Sequence, residues 1–307
     1  MRWKVRLTSG AALGSFVLTE PQSGSDAFGL RTSAEIGEDG SYTINGYKAW
    51  FSLARVADVY LVVVKTSHQP GHKDIAMVAV PLGTPGLSFG DPYQMLVSPF
   101  LPIADMVLEN VKVPAENVIR PPGKGLSGSL MAIDIARTSI SAGCCGLMSA
   151  ALDTALVYAR GRKMFGQSEL NFQGIKWMLA DVSTDLEASR LLYQHAAGLL
   201  GTRDGSVAAA HAKRFAPDAA VRATGTCMQM LGGAGLLASS ALERMYRTAP
   251  VMKVVYGTTE IKRVVIARSL EQCAILAPDE PQPPAGTAHS NGREAWRGAV
   301  PIPSMAS

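Results

Sequence analysis

At ENVIRPPGKG, residues 116–125, the apolar period of the sequence changes, and this constrains the fold more than any single motif. Before it, short apolar and alternating runs are separated by turn residues, the pattern of β-strands. SYTINGYKAWFS (41–52) alternates around Asn45-Gly46, a turn signal. VADVYLVVVKT (56–66) and DIAMVAVPL (74–82) read as apolar strands joined by the polar loop SHQPGHK, and MVLENVKVP (106–114) as a last strand stopped by Pro114. After it, Leu130, Ile133, Ala136, Ile140, Leu147, Ala151 and Leu152 fall at helical spacing within one long helix from Leu126. Helices are predicted over 172–200, over 206–231 with a kink or break at Pro217, and over 257–276 with Thr258 or Thr259 as N-cap. Segregated strands and helices predict an α+β chain: a β-barrel or sandwich domain over 1–118, a linker, and an antiparallel four-helix bundle over 123–275. The tail 276–307, rich in Pro, Gly, Ser and Ala, is predicted to be disordered.

With 47% hydrophobic residues in 307, the chain can bury a substantial core. A net charge of +4, from scattered basic residues, argues against nucleic acid as a partner while suiting a phosphorylated small ligand. Cys144, Cys145, Cys227 and Cys273 form no CxxC pair and read as thiols in a reducing compartment. MRWKVRLTSG lacks the apolar core of a signal peptide, and no stretch reads as an unbroken membrane-spanning run, so a cytoplasmic protein is expected.

Three segments could bind a ligand. LTEPQSGSD (18–26) places Ser23, Gly24 and Ser25 where backbone amides can hold an anion, although an ordinary turn explains them as well. LGGAGLL (231–237) is a helix C-cap or a ligand contact. VVYGTTEIKR (254–263) offers free N–H groups and threonine hydroxyls at a helix N-terminus, and spacing alone does not separate a ligand site from a capped helix. His68 and His72 flank Pro70-Gly71 without an acidic or thiol companion, so no metal site is expected. His195 and His211 sit on predicted helices as surface or packing residues, and no GxSxG elbow is present.

Taken together, LTEPQSGSD, INGYKAWFS, MVLENVKVPAENVI, YARGRKMFGQ followed by FQGIKWMLADV, MQMLGGAGL and YGTTEIKRVVIAR resemble the acyl-CoA dehydrogenase family from about Ala11 to Ser269. The resemblance implies FAD between a middle β domain and a C-terminal four-helix bundle, in a dimer or tetramer of like or unlike subunits. It places Phe16, Leu18, Thr19, Gly24, Ser25, Trp50, Phe51 and Ser52 along the flavin and its pyrophosphate. Arg162, Phe165, Gln173, Gln229, Gly232 and Gly233 match positions that reach a neighbouring subunit's FAD. Thr258 and Glu260 match FAD contacts from the last helix. Ser25, Asp134, Arg137 and Gly257 match positions near the acyl thioester, whether carried by CoA or by a carrier protein.

Two departures stand out. The family's N-terminal helical domain has no counterpart ahead of the middle domain, which implies truncation or a partner chain that supplies it. The family's base glutamate, which removes the α-proton while the β-hydrogen leaves as hydride, is replaced by Tyr256. A phenol of ordinary pKa, about 10, is a poor base at neutral pH. Some members carry the base directly before the arginine matched by Arg137, but Ala136 stands there. The resemblance thus implies either a flavoenzyme on acyl thioesters with an altered base, its electron acceptor unspecified, or a non-catalytic subunit of a heteromeric assembly.

Overall fold

A computed structural model describes residues 2–66, 74–97 and 101–276, with Met1–Ser269 forming one compact unit. A short helix α1 (Arg2–Thr8), unmarked by any helical signal in the sequence, precedes eight strands. These are β1 (Gly14–Val17), β2 (Ser33–Ile36), β3 (Tyr42–Ser52), β4 (Val59–Lys65), β5 (Ile75–Pro81), β6 (Leu87–Phe89), β7 (Ile103–Val113) and β8 (Val118–Arg120). They form one sheet in the order β6-β7-β3-β2-β4-β5-β8, with β1 parallel to β4. The sheet wraps around a main core in which Ile44, Tyr60, Val62, Val78, Met106 and Val111 are buried, with Leu30, Val63 and Ile75 in a smaller separate cluster, and its edges β6 and β8 are unpaired with each other. It is an open barrel.

The predicted turn at Asn45-Gly46 is a correction. β3 runs through both residues and pairs with β7, with a register shift between Ile44 and Gly46. The glycine is needed for close approach: a Cβ there would lie 2.7 Å from the Thr32 Cα. The segment read as a linker also contributes structure, because β8 pairs antiparallel with β5.

The helices that follow are α2 (Gly125–Gly161), α3 (Gln173–Gly198), α4 (Gly205–Met230), α5 (Ala241–Val254) and α6 (Thr259–Leu276); between α2 and α3 a small hairpin pairs β9 (Lys163–Met164) with β10 (Gln167–Ser168). Helices α2, α3, α4 and α5 pack on one another around Cys144, Met148, Ala151, Leu179, Cys227 and Leu242. The bundle's fourth helix is therefore α5, which sequence periodicity did not mark. Gly125 lets α2 begin directly against β5, since a Cβ would meet the Ile75 carbonyl oxygen at 2.5 Å.

Two further expectations are corrected by packing. Pro217 neither breaks nor ends α4; the helix continues through it with Ala216, Ala219 and Ala220 fully buried alongside. The small side chains bring α4 so close to its neighbours that tertiary contact outweighs the lost hydrogen bond. Gly128–Gly161 of α2 is long and apolar enough to cross a membrane by length and composition, although no such stretch was expected. Here part of that apolar surface packs along α3, α4 and α5, while Leu130, Met131, Ile135 and Val157 are exposed. His68 and His72, and the tail beyond Leu276, lie outside the described residues.

Candidate active site

The structure brings the first group of candidate residues together. β1 carries Phe16 beside β4, and the chain then continues through Leu18 and Thr19 into the loop of Ser23, Gly24 and Ser25. The Thr19 carbonyl accepts a hydrogen bond from the Ala49 N–H (2.9 Å), which sets that loop against Trp50, Phe51 and Ser52 at the end of β3. Ser23 is turned inward, its hydroxyl donating to the Asp26 carbonyl, whereas Gly24 and Ser25 are exposed. Phe51 is in the barrel core and makes an edge contact with Tyr60. Trp50 lies outside it, stacked on Tyr93 at 4.2 Å, and the Tyr93 hydroxyl donates to Asp105.

The second group surrounds Tyr256. α5 ends at Val254 and α6 begins at Thr259, so the intervening residues must reverse the chain within a few positions. Tyr256 and Gly257 do so with φ values of 55° and 89°. The left-handed region is costly for a residue with a Cβ. Arg137, buried on α2, holds the turn by donating from Nε to the Tyr256 carbonyl (3.3 Å), and its Nη1 pairs with Asp134 at 2.6 Å. Lys213, fully buried on α4, donates to the carbonyls of Met252 (2.6 Å) and Lys253 (3.4 Å) at the end of α5. Lys262 is fully buried beneath Gly257, and its Nζ has no hydrogen-bond partner among the described residues. Burial lowers Lys213 to about 8 and, with Arg137 and Lys213 adding like charge, lowers Lys262 to about 7. Thr258 caps α6, its hydroxyl accepting from the Ile261 N–H. The Tyr256 side chain is 45% exposed.

The third group is elsewhere. Arg162, Phe165, Gln173, Gln229, Gly232 and Gly233 are all exposed at the end of the bundle where α2 and α4 finish and α3 begins. Arg137 and Arg162 are 25 residues apart along α2, about 38 Å at helical rise. One chain therefore does not bring this group to its own Tyr256 turn. Phe165, on the hairpin between β9 and β10, is 90% exposed and also left-handed (φ 49°).

These residues suit a flavin. The Thr19, Ser25 and Ser52 hydroxyls make no hydrogen bond among the described residues, the space beside Gly24 is open, and Trp50 is an exposed aromatic ring two residues before Ser52. Neutral hydroxyls, amides and an aromatic ring match a largely apolar ring system joined to a polar pyrophosphate. The three described cysteines are unsuited to redox or nucleophilic work. They are free and buried, and burial raises Cys144 to about 12 and Cys145 and Cys227 to about 11. His195 and His211 are exposed on their helices.

Lys48, Lys213 and Lys262 were not singled out from the sequence. Lys48 and Lys262 lie inside quoted motifs, but the place of each of the three is set by a contact with a distant or turned-back segment.

The acyl-CoA dehydrogenase middle domain matches residues 15–111, and the acyl-CoA dehydrogenase C-terminal domain matches residues 123–271. The chain is 41% identical over 266 residues to a probable acyl-CoA dehydrogenase, YngJ, of Bacillus subtilis, covering 86% of this chain and 70% of that protein. It superposes on the butyryl-CoA dehydrogenase structure from Megasphaera elsdenii with a TM-score of 0.85 at 35% identity, over 88% of this chain and 71% of that one. The prolyl acyl carrier protein oxidase AnaB is similar with a TM-score of 0.83 at 29% identity, over 86% and 70% of the two chains. A barrel and bundle arranged in this way define a flavoprotein oxidoreductase. The chain belongs to the acyl-CoA dehydrogenase family.

Proposed function

We propose that the chain is a FAD-dependent oxidoreductase acting on an acyl thioester, carried by CoA or by an acyl carrier protein, in which Tyr256 occupies the position of the family's base glutamate. The observation that carries this reading is backbone strain. Among the described residues Trp50, Leu53, Arg55, Asn110, Phe165 and Tyr256 hold a left-handed φ, and the three aromatic ones, Trp50, Phe165 and Tyr256, each belong to a different one of the three groups singled out for FAD or substrate contact. Bulky residues stay in that region only where the surroundings enforce it, and such enforcement concentrates at functional sites.

Phe16, Leu18, Thr19, Gly24, Ser25, Trp50, Phe51 and Ser52 would hold the flavin and pyrophosphate, with Thr258 and Glu260 contributing from the start of α6. FAD, when bound, supplies the hydride acceptor. Asp134 and Arg137 fix the turn that presents Tyr256 and Gly257 to the thioester, and Ser25 contributes a hydroxyl on the substrate side. Arg162, Phe165, Gln173, Gln229, Gly232 and Gly233 serve the FAD of a neighbouring subunit, which the separation of about 38 Å along α2 between Arg137 and Arg162 favours, so the working form is an oligomer. Tyr256 can donate a hydrogen bond to the thioester or, ionised, accept the α-proton.

The test is the flavin absorbance of the purified, FAD-reconstituted protein, recorded anaerobically before and after acyl-CoA thioesters are added. Bleaching of the flavin band, made faster in Tyr256→Glu, is the expected result. A protein that takes up no FAD, alone or with a related partner chain, refutes the reading.

The exposed third group also suits a second reading, a non-catalytic subunit completing a partner's FAD site. On that reading the isolated chain leaves the flavin unbleached, while a complex with a related chain loses FAD when Phe165 is replaced by Ala.

A further inference from the structure

Lys48 is fully buried on β3, with Glu20 also buried and its Oε1 2.8 Å from the Lys48 Nζ. The carboxylate gathers more than that one partner. Oε1 also accepts from the Thr32 N–H (3.0 Å), and Oε2 accepts from the Arg31 N–H (2.7 Å) and the Gln22 side-chain amide (2.7 Å). The ammonium, for its part, donates to the Leu18 carbonyl (3.0 Å). Three segments distant in sequence thus meet at one ion pair: the Leu18–Ser25 loop, the lead into β2 and the middle of β3. Burial alone would raise Glu20, but Lys48 and the surrounding donors overcome it and bring the carboxyl down to about 2. Lys48, lowered by burial to about 8, still carries its charge at neutral pH.

The position of the pair matters more than its strength. Glu20 directly follows Thr19, and Lys48 stands two residues before Trp50. Neither charged group is exposed, so neither touches a ligand. We propose that Glu20 and Lys48 are positioning residues for the FAD site: their buried pair clamps the Leu18–Ser25 loop to β3 and sets the Thr19 and Ser25 hydroxyls against Trp50 in the arrangement that FAD requires. The inference rests on the proposed FAD site and adds the element that holds its two halves together. A buried pair repays much of its own desolvation and so contributes little net stability, while loss of one member leaves an uncompensated charge. Stability and cofactor affinity should therefore separate when both charges are removed.

The experiment compares wild type, Lys48→Met and Glu20→Gln/Lys48→Met, each measured for FAD dissociation constant by flavin fluorescence and for the urea midpoint of the apoprotein. Near-UV circular dichroism reports the Trp50–Tyr93 stack in the same samples. Lys48→Met should lose both stability and FAD binding. The double variant removes both charges and keeps one amide oxygen as acceptor for either the Arg31 or the Thr32 N–H, so its urea midpoint should recover from that of Lys48→Met toward that of the wild type. Its FAD affinity should nevertheless fall about tenfold or more, with a changed aromatic signal, because the loop is no longer clamped. A double variant that binds FAD as tightly as wild type overturns the proposal, since a purely structural pair would move only the midpoint. A wild type that binds no FAD overturns the proposed function, and this inference with it.

Discussion

Lys262→Met should stabilise the protein, and its dependence on pH should reveal why. The Lys262 ammonium is buried against Gly257 so closely that a Cβ there would lie 2.8 Å from Nζ. The charged groups facing it are Arg137 and Asp134 from α2 and Lys213 from α4: two cations and one carboxylate, the latter already paired with Arg137. Desolvation, then like-charge repulsion, carries the amine from 10.5 to about 7. At about 1.36 kcal/mol per decade, that drop corresponds to a cost of roughly 5 kcal/mol when the folded state must hold the proton. The unfolded chain keeps its proton up to about pH 10.5 and the folded chain only to about 7, so the unfolded state binds more protons between those limits. The penalty is then complete below pH 7, shrinks as pH rises and vanishes above 10.5. Methionine matches the volume without the charge, and we expect it to raise the unfolding free energy by about 3–5 kcal/mol at pH 6 and by little at pH 10. Urea denaturation of both proteins at pH 6, 8 and 10 measures the difference. A gain independent of pH, or a methionine variant less stable at pH 6, refutes the reasoning by showing that Lys262 has an anionic partner in the folded chain.

Three further expectations test other parts of the fold. Gly46→Ala would drive a Cβ to 2.5 Å from the Thr32 hydroxyl oxygen and should lower stability by about 2 kcal/mol or more, seen as a reduced melting temperature. Met148→Ala removes a fully buried side chain from the bundle core and should cost about 2–5 kcal/mol in urea denaturation, the range set by how far the neighbours collapse. Glu20, held down near 2 against an ordinary 4.5, contributes stability that is present above about pH 4.5 and lost as pH falls toward 2. The acid unfolding curves of wild type and Glu20→Gln should converge over that interval; parallel curves would show that Glu20 carries no lowered pKa.

Features that repeat locally were readable from the sequence, and features made by contact between distant segments were not. β4, β5 and β7 each present an apolar run bounded by turn residues, and α2, α3 and α4 each repeat apolar residues over many turns, so period alone locates them. α5 (ALERMYRTAPVMKV) carries Pro250 and few repeats of the apolar spacing, and it is helical because Leu242 and Ala249 are buried in the bundle. Asn45-Gly46 has the composition of a hairpin turn, yet the glycine serves the approach of Thr32, outside any short window. The candidate site divides in the same way. LTEPQSGSD and YGTTEIKR were legible as motifs because small, hydroxylated and capping residues follow one another within a short window. The side chains that hold those backbones were not: Lys48 reaches Glu20 across 28 residues, and Arg137 reaches the Tyr256 carbonyl across 119. The contacts that support position 256 come from its backbone and from neighbouring helices rather than from its side chain. The turn at Tyr256 is still held by Arg137, with Asp134 behind it, and Lys213 still caps the helix leading into it. If those contacts alone set the turn, Tyr256→Glu should present its carboxylate from the same backbone position, with stability changed by less than about 1 kcal/mol. A larger loss in a urea titration would mean that the phenol itself helps hold the turn, and that position 256 has been rebuilt around the tyrosine.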